Sequence, residues 1–268
     1  MPFLRSVAPK ASLHDAPKTF PFSVPIVWAL ETLELRSPVT FFVGENGSGK
    51  STLLEGIAVA AGLPTIGSES VASDASLAAQ RALAKQLQLV WNERTRKGFF
   101  LRAEDFFGFT KYLARLRAEL QQRVAEIEVE YAGRSAWARG LALGPATGSI
   151  ADLERRYGVD LDANSHGESF LKLFQSRFVP GGLYLLDEPE APLSPQSQLG
   201  LIAMLKQMVA ERSQFIIATH SPILLAFPEA TIYSFDERPA RRVPFDELEH
   251  VRLTRDFLNA PDAFLRRL

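Results

Sequence analysis

The chain has 268 residues, 46% of them hydrophobic, enough for one sizeable α/β core or a core carrying an insertion. Thirty lysines and arginines against 31 aspartates and glutamates leave a formal charge of −1, so no global basic field marks the protein for nucleic acid. The absence of cysteine excludes disulfides, thiolate catalysis and cysteine-ligated metals, and is compatible with a reducing cytoplasm, the compartment expected here.

The opening residues, MPFLRSVAPKASLHDAPKTF, are mixed polar and interrupted by proline, and read as an arm or an edge strand. They contain no apolar run of signal-peptide length. Nowhere do about 18 uncharged apolar residues follow one another, so a soluble chain without direct membrane insertion is expected. Val39 to Val43 (VTFFV) reads as a buried strand and Ser51 to Ala61 (STLLEGIAVAA) as a helix.

Between them lie Gly44, Glu45, Asn46, Gly47, Ser48, Gly49, Lys50 and Ser51, with Thr52 following. GENGSGKS fulfils the phosphate-loop pattern and sits between a strand and a helix, as that pattern requires. Its glycines let backbone N–H groups converge on phosphates, and the helix N-terminus adds a favourable dipole. Lys50 would reach the β- and γ-phosphates, and Ser51 would ligate Mg²⁺.

From 64 to 178 alanine, leucine, arginine and glutamate dominate, and a helical subdomain inserted in a single 1–268 domain is expected. Leu113, Leu116, Leu120, Val124 and Ile127 step by three or four residues and form one stripe of a long helix. Arg94, Arg96 and Lys97 form a local basic patch, a candidate nucleic-acid contact.

Leu183 to Leu186 is an apolar run ending in Asp187 and Glu188, where two buried carboxylates without a task would be costly. Asp187 suits a Mg²⁺ carboxylate acting with Ser51, and Glu188 a base that polarises an attacking water. A helix from about Pro195 to Arg212 precedes a second buried strand, Gln214 to Ala218, with Thr219 and His220 at its tip. His220 is a candidate γ-phosphate contact. Two short strands, 231–235 and 242–245, then lead into helix.

The phosphate loop, LLDEPE and ATHSP together resemble the ATP-binding-cassette ATPases over most of the chain. The resemblance implies a P-loop NTPase fold of that type: a mostly parallel core sheet, a flanking β layer and a helical subdomain. It also implies ATP and Mg²⁺ as cofactors, and two copies closing head to tail as an ATP-dependent homodimer. The family's LSGGQ signature has its nearest match in Asn164-Ser165-His166-Gly167-Glu168, so Ser165 and Gly167 are the residues expected to meet the γ-phosphate held by the other copy.

Other positions depart from transporter cassettes. Glu190 stands where those have threonine, Ser194 where they have aspartate, and no lid glutamine is evident, Glu104 being the best-placed substitute. Phe20 and Phe22 lie at the distance at which cassettes place an adenine-stacking aromatic. With ATHSP, the chain looks like the soluble AAA/ABC-type predicted ATPases grouped near the SMC-like and overcoming-lysogenisation-defect-like proteins. An ATP hydrolase serving a nucleic-acid or protein client is therefore expected. An ATP-binding subunit of a transporter and a non-hydrolysing ATP switch are the alternatives.

Overall fold

The computed structural model describes residues 1–14, 16–66, 78–157 and 166–266. Its centre is a six-stranded sheet in the order β5 (Gly98–Arg102), β6 (Leu183–Asp187), β7 (Gln214–Ala218), β3 (Val39–Val43), β8 (Thr231–Ser234), β9 (Arg241–Arg242). Pairings are parallel from β5 through β8, and only β9 is antiparallel. β3, β6 and β7 are buried at every position, which is why their sequences read as unbroken apolar runs.

Alternation along these strands feeds two cores. Phe41, Tyr184, Leu186, Phe215 and Ile217 point into one, beneath the helices; Phe42, Leu183, Leu185 and Ile216 point into the other. The first core is rich in rings: Phe178 meets Phe99, Phe174, Tyr184 and Phe215 at centroid distances of 4.7 to 5.8 Å.

The second core is closed by a separate three-stranded antiparallel sheet, β2 (Leu33–Glu34), β1 (Leu4–Pro9) and β4 (Leu87–Trp91). The N-terminal segment is thus the middle strand of a sheet, not an arm or an edge: β1 pairs with β2 on one side and β4 on the other, and Leu4 and Val7 are fully buried. Buried Gln214 ties the two sheets, its amide accepting from Leu4 N and donating to Leu4 O, each at 2.8 Å.

Segment 64–178 is not helical throughout. It supplies α3 (Ala78–Gln86), then β4 to the small sheet and β5 to the edge of the main one. These strands are short and are flanked by helix formers, so tertiary pairing overrides the local composition. The helices beyond them are α4 (Ala103–Glu130), α5 (Ala136–Tyr157) and α6 (His166–Arg177). On α4, Leu113 and Ile127 of the expected stripe are buried, and Arg117 pairs with Glu154 of α5 at 2.9 Å.

Downstream lie α7 (Pro195–Ala210), α8 (Pro222–Leu225), α9 (Glu249–Asn259) and α10 (Pro261–Leu265). Ser194 caps α7 by accepting from Ser197 N, so it acts as a helix start. The last strand pair is shorter than expected, and Phe245 lies in a 3₁₀ turn, Phe245–Glu247, that enters α9. Because β5, β6, β7, β3 and β8 run parallel, their C-terminal ends share one edge, bringing together Arg102, Asp187, Thr219, Gly44 and the turn after Ser234.

Candidate functional site

The phosphate loop leaves β3 at Gly44 and ends where α2 (Lys50–Ala61) begins. Gly49 has φ of +97°, and a Cβ there would come within 2.6 Å of Val24 Cγ1 and Ile26 Cγ2, so only glycine lets the loop seat on that segment. Asn46 and Gly47 face solvent, Glu45 N donates to Asp236 Oδ1 at 2.7 Å, and the Ser48 hydroxyl is buried without a partner among the described residues. The Lys50 side chain folds back over the loop, Nζ donating to Gly44 O at 2.7 Å and Glu45 O at 3.0 Å. Burial lowers its pKa, against the opposing charges of Glu188 and Asp187.

At the end of β6, Asp187 Oδ1 accepts from Ser51 Oγ at 3.1 Å. Asp187 is 7% exposed, and burial raises its pKa from 3.8 to about 7, the Ser51 hydrogen bond opposing the rise. A hydroxyl and a carboxylate in contact at the mouth of a phosphate loop are hard oxygen donors suited to Mg²⁺. Glu188 follows in the left-handed region, φ 50°, with its N–H donating to Ala218 O at 2.9 Å. That backbone turn keeps its half-exposed carboxylate near β7, and His220 Nε2 lies 3.7 Å from Glu188 Oε1. His220 Nε2 is itself buried without a hydrogen bond among the described residues.

Several residues of this edge escaped the sequence reading. Glu190, noted only as a departure, holds the His220 loop: its Oε1 accepts from Thr219 Oγ1 at 2.6 Å and from His220 N at 2.7 Å. Burial raises its pKa, and those hydrogen bonds oppose the rise. Glu55, a lone carboxylate in the apolar helix after the loop, is buried and ion-paired with Arg102, and accepts from Gln80 Nε2 at 2.6 Å. That lone acid in STLLEG was the available signal. Asp236, which holds the loop amide of Glu45, had none beyond its place after an apolar strand.

Glu104 stands in the first turn of α4, 78% exposed, with Oε1 3.9 Å from Arg102 Nη1. Together with Ser51, Glu55, Arg102, Asp187 and Glu188 it lines a cavity of about 130 Å³. Gly167 lies in the first turn of α6, where a Cβ would meet Pro192 O at 3.1 Å, so it packs against the loop that follows Glu188. Ser165 lies outside the described residues. Phe20 is exposed and Phe22 packs on the second core, while the side chains of Val24 and Ile26 lie beside Gly49 of the loop. The patch of Arg94, Arg96 and Lys97 precedes β5, a strand's length from the shared edge, beside Trp91 and Lys10.

Two family models match: "AAA domain" over residues 26–128, and "AAA domain, putative AbiEii toxin, Type IV TA system" over residues 153–226. The chain is 28% identical over 191 residues to "Cobalt import ATP-binding protein CbiO" of Salmonella typhimurium, and equally to that of Salmonella paratyphi A. The match covers 69% of this chain and 62% of the length of those relatives. Among solved structures, MJ1267, an ATP-binding cassette of an ABC transporter in its ADP conformation, is similar with TM-score 0.45 and 14% identity, covering 91% and 90% of the two chains. The SMC head domain from Thermotoga maritima is similar with TM-score 0.43 and 15% identity, covering 91% and 99%.

Proposed function

We propose that this chain, a P-loop ATPase of the AAA/ATP-binding-cassette class, binds MgATP at Gly44 to Thr52 and hydrolyses it. The observation that carries the reading is the convergence at one sheet edge of Ser51 on Asp187 at 3.1 Å and of His220 near Glu188 at 3.7 Å. Loop amides and the α2 N-terminus receive the phosphates. Lys50 exchanges the Gly44 and Glu45 carbonyls for phosphate oxygens. Ser51 and Asp187 hold Mg²⁺, which when bound offsets phosphate charge.

Glu188, turned outward by its backbone, orients and polarises the attacking water. His220 reaches the γ-phosphate from a loop that Glu190 keeps in register. In this reading the nucleotide closes two copies head to tail, with Ser165 and Gly167 of one copy completing the site of the other. Glu104 and Phe20 or Phe22 are the lid and adenine positions, and the client is a nucleic acid or a protein. Among the described residues no helix is long and apolar enough to cross a membrane, so a membrane role would need a partner.

A second reading, the ATP-binding subunit of an importer, draws on the name of the cobalt-import relatives. Retention of the native protein in washed membranes, with release only by detergent, would favour it. The test of the main reading pairs Lys50→Ala with Glu188→Gln. Lys50→Ala should lose affinity for a fluorescent ATP analogue. Glu188→Gln should bind ATP, turn over on the order of 10² to 10⁴ more slowly, and run as a dimer only with MgATP in gel filtration coupled to light scattering. Unchanged affinity in folded Lys50→Ala refutes the site. Full turnover in Glu188→Gln refutes the base.

A further inference from the structure

The last turn of α2 and the β4 side of the small sheet do not close on each other. α2 ends in Ala60 and Ala61, and α3 offers Ala84 beside them, so the space facing Leu87, Leu89 and Trp91 of β4 stays open. This crevice has a volume of about 680 Å³, within the range of small-ligand sites. Ala61 and Lys50 stand at opposite ends of α2, roughly 16 Å apart along the helix, so the crevice is separate from the phosphate-loop site.

Its rim is cationic. Lys10, Arg94 and Arg96 border it, and among the described residues that line it there is no acid. Glu93, next to Arg94 in sequence, is engaged by Arg212 at 3.3 Å. Lys10 is held in place by its Nζ, which donates to Lys85 O at 2.7 Å and keeps further donors for an anion. Lys97, the third cation of the basic stretch in the sequence, turns away and donates to Pro180 O at 3.2 Å. Inside the crevice Trp91 is half-buried, with the Arg94 guanidinium 6.0 Å from its ring centroid. Gln88 adds an exposed amide that can bond the edge of a base.

An apolar slot with an aromatic wall suits a flat ring, and the cations around its mouth suit phosphates. A wholly apolar ligand would leave the three cations without a use, and a bare anion would leave the slot unfilled. Bases of a duplex are stacked and paired inside it, so a base reaches such a slot from a single strand.

We propose that this crevice binds single-stranded nucleic acid: one unstacked base enters against Trp91, and Lys10, Arg94 and Arg96 hold the phosphates on either side of it. The inference rests on the reading above for the choice of a nucleic-acid client, and deepens it by naming the kind of nucleic acid and the residues that receive it. It does not depend on ATP being bound or hydrolysed.

The experiment measures fluorescence anisotropy of a short dye-labelled DNA single strand of mixed sequence, in EDTA and without nucleotide. The same sequence as a duplex and an abasic strand of equal length, which carries phosphates without bases, are the comparisons. The wild type should bind the single strand about tenfold or more tightly than either. Trp91→Ala should weaken that binding about tenfold with no change in salt dependence, and Trp91→Phe, which keeps a ring, should recover most of the loss. Three phosphate contacts predict that log K falls against log salt with a slope of about −2, and Arg94→Ala or Arg96→Ala should each reduce its magnitude by about 0.7.

Equal affinity for the abasic strand or the duplex, wild-type binding by Trp91→Ala, or no binding at low salt overturns the proposal. Should Trp91→Ala fail to fold, Ala61→Leu decides, because it fills the slot from a helical position that suits leucine. It should weaken binding of the single strand and leave that of the abasic strand unchanged; an undiminished single-strand affinity overturns the proposal. A protein that binds the strand in this pattern but does not bind MgATP upholds the crevice and refutes the ATP site alone.

Discussion

Replacing Asp187 by asparagine should make the metal-free fold more stable and remove Mg²⁺-dependent turnover. Asp187 is 7% exposed, and this burial raises its pKa, with the charges of Glu55 and Glu188 adding to the rise and Ser51 and Arg102 opposing it. Its pKa rises from 3.8 to about 7. The folded state therefore binds more protons than the unfolded chain across that window, and stability falls as pH climbs through it.

A rise of roughly three units corresponds to about 4 kcal/mol of disfavoured charge at pH 8, at about 1.36 kcal/mol per unit. Asparagine keeps an oxygen for the Ser51 hydroxyl but carries no charge, so a gain of about 2–4 kcal/mol is expected after its own amide desolvation is counted. In a chain of this size that is a rise in Tm of roughly 5–10 °C. Thermal unfolding followed by circular dichroism in EDTA measures it.

The gain should be largest at pH 8, shrink by more than half by pH 5, and vanish as pH falls through 3.8. Added MgATP should raise the wild-type Tm more than that of the variant, reversing the ranking. An asparagine variant no more stable than the wild type at pH 8 in EDTA, or a gain independent of pH, would refute the argument that burial of this carboxylate is tolerated for the sake of a cation.

Glu190→Leu should cut turnover about tenfold or more by stranding Thr219 Oγ1 and the His220 amide, whereas Glu190→Gln, which keeps an acceptor, should retain most activity. A fall in kcat with little change in nucleotide affinity marks a positioning role, and equal activity of the two variants counts against it. Gly98 has φ of +121°, and a Cβ there would overlap Leu183 O across the β5–β6 pairing. Gly98→Ala should cost about 3 kcal/mol or more in urea unfolding; a loss under about 1 kcal/mol would show that the edge strand relaxes freely.

What the amino-acid order determined by itself is local. VTFFV, GENGSGKS and the helix after it form a strand, a loop and a helix because apolar alternation, left-handed glycines and helical spacing all act within a few residues. The acids at the end of LLDEP and the histidine after FIIAT were likewise legible as polar tips of buried strands. The central place of the N-terminal strand, read only as an arm or an edge, and the two strands at 87–102 were not, because their short apolar runs acquire meaning only when paired.

Tertiary structure decided everything that depends on which strand ends become neighbours. Ser51 and Asp187 are separated by 136 residues and meet because β3, β7 and β6 lie side by side and parallel. Glu190 turned from a departure into a clamp only once β7 delivered Thr219 and His220 beside it. Periodicity tells each segment which face to bury, but the order of strands is a choice among non-local pairings whose free energy is shared by the whole core, and no short window of sequence contains it.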